Sequence, residues 1–269
     1  MNNKKKKLDV IGKIPNWVWL ILSLLVAILV WTLLSSNEVT GRAFPPLTEV
    51  FGSYTKMAAS KEAGGRGVFW SDILSSLTSA GIGFALGFLF GVPVAFLMAW
   101  YRPVRNIIEP WIQFIRNIPP LAYVPLVVIA AGVGRLPQII VICIATFLTI
   151  SITVFQGVIN VDETLIKAAR VLGANDAVLF TRVIFPATTP FIITSIRLGI
   201  SVALTTLIAA ESTGASAGLG MRIRALSSSF ETEPMMLYII VVGVIGMLAE
   251  KILKFFERRL TAWQEKREI

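Results

Sequence analysis

The chain has 269 residues, of which 55% are hydrophobic and only 15% charged, with a mean hydropathy of +0.74. A soluble domain carries about 25% charged residues and could not hide this much apolar surface, whereas a bilayer can. The net charge of +9 is gathered at the chain ends and in short loops, which fits membrane orientation better than nucleic-acid binding, and the lack of any histidine removes the commonest metal ligand and general base.

A helix needs about 20 apolar residues to cross the hydrocarbon core. Six segments meet that need, so an all-α integral membrane protein of about six transmembrane helices is expected. A basic tail, 1–16, carries lysines at 4–7 and precedes the first span at 17–34. That apolar stretch is longer than a signal-peptide core, and no small-x-small cleavage site follows it closely, so it reads as a retained helix. The loop at 35–69 is rich in glycine and is expected outside the cytoplasm. Its Gly-Gly-Arg-Gly run at 64–67 lacks the lysine of a phosphate loop, and no other phosphate loop occurs. The chain is therefore expected to hydrolyse no ATP alone and to be no enzyme.

The second span, 73–100, repeats Gly83, Gly87 and Gly91 every four residues, a stripe for close helix packing. The third, 107–131, is broken by Pro119, Pro120 and Pro125. Carbonyls freed in lipid must find partners or face a cavity, so this helix is expected to line a pathway. Arg116 lies within it, and Glu109, seven residues earlier, is expected to share its face and pair with it. The fourth span, 137–158, holds Cys143, the single cysteine, which can form no disulfide within the chain and no metal site by itself. The fifth, 187–210, contains Arg197 and is closed on its outer side by Glu211. Charges at such depth tend to face the protein interior or water. Arg116, Arg197 and Glu211 are thus candidates for a pathway or gate, with interfacial snorkelling or structural ion pairing as the alternative. The loop after Glu211 is rich in Ser, Gly and Thr and carries Arg222 and Arg224. The sixth span is 235–256, and the region 251–267, which overlaps its end, is basic with Phe255, Phe256 and Trp263 and is read as an interfacial anchor on lipid rather than a nucleic-acid site.

Orientation follows from the basic residues. Sixteen Lys and Arg fall in the N-terminal tail, the loop after Trp100, the 160–186 connection and the C-terminal tail. Seven fall on the opposite side. The richer side is expected to be cytoplasmic, with both termini inside.

The connection 160–186 is the most informative segment. Residues 165–186 read LIKAARVLGANDAVLFTRVIFP, two short helices bent at Gly173. Ala168 and Ala169 give a small-residue face that lets another surface approach closely. Leu165, Leu172, Leu179 and Phe180 are expected to anchor the unit, and Pro186 to end it and begin the next span.

This segment resembles the Glu-Ala-Ala loop of binding-protein-dependent ABC permeases. Ala168, Ala169, Gly173, Ile184 and Pro186 match that pattern, and Lys167 stands where the family has glutamate. RNIPPLAYVPL at 116–126, AESTGASAGLG at 210–220 and FIITSIRL at 191–198 resemble the branch that carries nitrate, sulfonates, taurine and bicarbonate. The resemblance covers roughly 71–259 and implies a type I ABC importer permease fold within 70–258, in a bacterial inner membrane. It implies ATPase coupling through Lys167, Ala168, Ala169, Gly173 and Ala174. It further implies a separate ATPase binding ATP and magnesium, an extracytoplasmic solute-binding protein docking near Arg222 and Arg224, and a permease homodimer. The same branch includes carriers of thiamine-precursor pyrimidines. Other classes consistent with the composition are an ATP-independent secondary transporter or channel and a membrane-embedded enzyme; the absence of histidine and of clustered intramembrane carboxylates opposes the last.

Overall fold

The computed structural model describes residues 15–60 and 67–260. The lysines at 4–7, residues 64–66 of the glycine-rich run and the tail from 261 onward, Trp263 included, lie outside the described residues. All regular elements among the described residues are helices. In chain order they are α1 (Asn16–Ser36), α2 (Leu47–Ala59), α3 (Val68–Trp100), α4 (Arg102–Arg116), α5 (Pro120–Ala131) and α6 (Arg135–Ile159), followed by α7 (Glu163–Val171), α8 (Asp176–Leu179), α9 (Phe185–Gly214), α10 (Leu219–Ser228) and α11 (Thr232–Leu260).

The apolar runs set the spans. α1, α3, α6, α9 and α11 are each long and apolar enough to cross a membrane. The third predicted span is instead two helices, α4 and α5, that meet at 103°. Pro119 and Pro120 lack the N–H groups that would continue α4, so the chain turns there. The two halves nonetheless make one crossing. The Arg105 guanidinium sits 5.1 Å over the Phe155 ring, which seats the start of α4 near the C-terminal end of α6. The Gly134 N–H donates to Gly214 O at 3.1 Å, which seats the α5–α6 turn at the C-terminal end of α9. The bent pair therefore carries the chain from one end of the bundle to the other, and six crossings result.

Two further differences from the sequence reading concern the loops. The segment 35–69 holds α2, whose Val50 packs with Phe69, Leu237 and Tyr238. Pro186 stands in the first turn of α9, as expected, but it does not end the preceding unit, because helical backbone runs without a break from Asp176 to Gly214. A single π-turn at Phe180–Ile184 makes this possible. There the Phe185 N–H reaches back five residues to Phe180 O, and the wider turn absorbs the proline without a break.

α6 is the most enclosed of the membrane-length helices, whereas no residue in the apolar window of α1 is buried. Gly83, Gly87 and Gly91 of α3 face Ile142, Thr146 and Ile150 of α6, so both partners repeat every four residues. A methyl group on Gly83 would sit 2.7 Å from the Ile142 Cβ. Glycine thus leaves room for the two helices to approach closely, and in lipid such close packing replaces hydrophobic burial as the source of helix association.

Candidate functional site

At the end of the bundle where α6 stops, α7 and α8 form an elbow. Asp162 caps α7, its carboxylate accepting from the Thr164 N–H at 2.8 Å. That bond holds the Asp162 carboxyl below its usual value. α7 ends in a Schellman arrangement. The Gly173 N–H donates to Arg170 O and the Ala174 N–H to Ala169 O, both at 3.0 Å. Gly173 has φ +84°, a conformation that costs any residue with a Cβ. The Arg170 guanidinium pairs with the Asp176 carboxylate across the bend. Asn175 caps α8 by accepting from the Val178 N–H at 2.9 Å.

The elbow is anchored from its far side. Leu179 is buried, and the Phe180 ring meets Phe96 at 5.2 Å and Trp100 at 5.9 Å, both on α3. Leu165 and Leu172, expected as anchors, point outward instead. Val171 and Leu172 are each 87% exposed, and Leu165 and Ala168 continue the same apolar face. Leu172 follows the last turn of α7, where the chain reverses and no neighbouring element covers it. Lys167 is exposed and pairs with Glu163 at 3.1 Å, while Ala169 and Ala174 are half-buried.

At the break between α4 and α5 lies a cavity of about 210 Å³. Arg116, Pro120, Tyr123, Thr149, Thr205 and Thr206 are among its lining residues, whereas Pro119 is exposed beside it. Arg116 does not pair with Glu109. Seven residues span about 10 Å along a helix, beyond the reach of a pair on neighbouring turns. Glu109 instead accepts from Arg105, four residues away, at 2.9 Å. Arg197 pairs with Glu257 on α11 and borders a groove of about 620 Å³ between α9 and α11.

At the opposite end of the bundle, Glu211 is 1% exposed and sits beneath the start of α10. Its carboxylate accepts from the Ser76 hydroxyl at 2.6 Å and the Gly220 N–H at 2.7 Å. Ser76 Oγ also accepts from the Leu219 N–H at 2.8 Å. Asp72, fully buried, accepts from the Gly218 N–H at 3.1 Å, Arg222 Nε at 2.8 Å and the Tyr238 hydroxyl at 3.0 Å. Two carboxylates and a hydroxyl thus satisfy the N–H groups at and just before the α10 N-terminus and tie α3, α9, α10 and α11 together. Sequence reasoning singled out Glu211 as a pathway or gate candidate, with a structural role as the alternative, and missed Asp72, Ser76 and Tyr238. The signal was present in Asp72, a carboxylate beside an apolar run.

Among the described residues no three His, Cys, Asp or Glu side chains gather as a metal site. The architecture is that of type I ABC importer permeases. The inward-facing MetNI methionine ABC transporter structure matches with a TM-score of 0.63 at 17% identity, covering 74% of this chain and 99% of that one. A "Probable ABC transporter permease protein" of Brucella abortus (strain 2308) is 45% identical over 195 residues, 72% of this chain and 78% of the relative. The taurine transport system permease protein of Escherichia coli (strain K12) is 33% identical over 233 residues, 87% and 84% of the two chains. The model of the family described as "Binding-protein-dependent transport system inner membrane component" matches residues 83–262. On this match and these relatives, the chain belongs to the family of inner-membrane components of binding-protein-dependent transport systems.

Proposed function

We propose that the chain forms the translocation pathway of an ATP-driven importer and is moved by a separate ATPase that grips the α7–α8 elbow. ATP and magnesium bind in that partner and not in this chain. A second copy of the chain completes the pathway, and an extracytoplasmic binding protein delivers solute at the α10 end. The elbow end and both termini face the cytoplasm. The solute is a small anion or a zwitterion with an anionic head, such as the taurine for which the Escherichia coli relative is named.

One observation carries this reading: the apolar tip of Val171 and Leu172 protrudes from an elbow whose own geometry is locked. A soluble-side surface with two such side chains uncovered calls for a partner. The Schellman turn, the Arg170–Asp176 pair and the Phe180 contacts with Phe96 and Trp100 make the elbow rigid, so a push on the tip reaches α3 and α9.

The test is copurification from native membranes. The tagged chain is expected to bring down an ATP-binding-cassette subunit identifiable by mass spectrometry. Leu172→Asp, at an exposed position, is expected to reach the membrane at the normal level and to retain less than a tenth of that subunit. Gly173→Val is expected to do the same by straining the turn. An ATPase that copurifies equally with Leu172→Asp, or none with the unaltered chain, overturns the proposal.

A further inference from the structure

We infer that the cavity at the α4–α5 break is an oxyanion-binding site, in which the Arg116 guanidinium and the N-terminal end of α5 hold the anionic head of the transported solute. This rests on the importer reading and adds a location and a chemistry to it.

The cavity holds one cation and no carboxylate among its lining residues. Arg116 forms no ion pair within the described residues, and Glu109, the acidic residue nearest in sequence, is engaged by Arg105. Arg197, also within a span, differs in having Glu257 as its counter-ion. Arg116 is exposed at the break, so water or an anion can reach its guanidinium, as a lone cation within a crossing requires.

The backbone adds to the same field. α5 has 12 residues and begins at Pro120, on the cavity wall, with no side-chain cap on its N-terminus. The positive end of its dipole is therefore uncompensated. Broken membrane helices offer this end to anionic groups of bound solutes.

Side chains supply the remaining groups. Thr206, 3% exposed, lines the cavity from α9, and its hydroxyl makes no hydrogen bond within the described residues. The neighbouring Thr205 differs, because its hydroxyl donates to Ser201 O and Val202 O within its own helix. The Tyr123 hydroxyl on α5 is likewise without a partner among the described residues. A guanidinium, two free hydroxyls and a helix N-terminus thus meet at one cavity. Together they form a donor-rich surface that matches a sulfonate, carboxylate or bicarbonate head. At about 210 Å³ the space is several times the roughly 30 Å³ that one water takes in the liquid, enough for one small oxyanion.

The full-length chain in lipid nanodiscs is titrated with sodium methanesulfonate and with sodium bicarbonate, against sodium gluconate at equal ionic strength. The thermal unfolding midpoint is followed. At least one of the two anions is expected to raise the midpoint saturably. Arg116→Gln and Thr206→Val are each expected to weaken the apparent Kd at least tenfold, while Arg116→Lys keeps most of the binding. Should Arg116→Gln fail to fold, Thr206→Val decides. No saturable shift with either anion, or unchanged affinity in both Arg116→Gln and Thr206→Val, overturns the site. An ATPase that still copurifies would then leave the importer reading standing.

Discussion

Gly87 and Gly81 lie six residues apart on α3 and meet different surroundings. A Cβ on Gly87 would overlap Thr146 Oγ1 and stand 2.9 Å from the Phe147 backbone nitrogen. Thr146 cannot easily yield, because its hydroxyl donates to Ile142 O at 2.7 Å and its backbone is part of α6. A Cβ on Gly81 would meet nothing within 4 Å. Alanine normally gains about 1 kcal/mol over glycine in a helix, whereas overpacking costs about 1–3 kcal/mol. Gly81→Ala is therefore expected to hold or raise the thermal midpoint of the detergent-solubilised protein, and Gly87→Ala to lower it. Equal midpoints would contradict the close packing of α3 on α6. The four-residue glycine repeat was legible in the sequence because it needs only the helical period. The facing Ile142, Thr146 and Ile150 were not, since which two helices meet is decided by tertiary packing. The same limit applied to Arg116: its side of the helix could be read from spacing, but its nearest neighbours could not.

The short α10 depends on groups that are distant in sequence. Its N-terminal region is satisfied by Asp72, Ser76 and Glu211, which come from α3 and α9. Breaking one side of a buried ion pair costs on the order of 3 kcal/mol, toward the low end here because Arg222 is partly exposed. Asp72→Asn is expected to let α10 open locally and to speed amide exchange at Leu219–Ser228 by up to about a hundredfold, at tenfold per 1.4 kcal/mol. Exchange in the middle of α6 is expected to stay unchanged. Uniform acceleration over both helices would show that Asp72 supports the whole bundle instead of this one element. The sequence offered α10 only as a loop rich in small residues, because a ten-residue helix with mixed composition carries little periodic signal. It did offer the break at Pro119 and Pro120, since proline acts through its own missing N–H. It placed Pro186 at the start of α9 but expected a break there, because the π-turn that carries the helix through leaves no compositional trace.

For the molecule as a whole, the fold fixes which ends lie together but not which side of the membrane they face. The Arg135 guanidinium donates to Ser75 Oγ at 3.2 Å, joining the start of α6 to α3 near its own start. With the Gly134–Gly214 bond this collects α10, the α5–α6 turn and the α3 N-terminal region at one end. The α7–α8 elbow sits at the other. The sequence reading then chooses the side, because it assigns sixteen Lys and Arg to the segments on the elbow side and seven to those on the other. Inserting chains retain Lys- and Arg-rich short loops in the cytoplasm, so the elbow should be inside and α10 outside. A background variant, Cys143→Ala, removes the single native thiol. Cysteine placed at exposed Ser228, the end of α10, is expected to react with a membrane-impermeant maleimide in intact cells. Cysteine at Leu172 is expected to react only after the membrane is opened. The reverse pattern would put the elbow outside, beyond the reach of any cytoplasmic ATPase. It would sink the proposed coupling while leaving the six-crossing fold untouched.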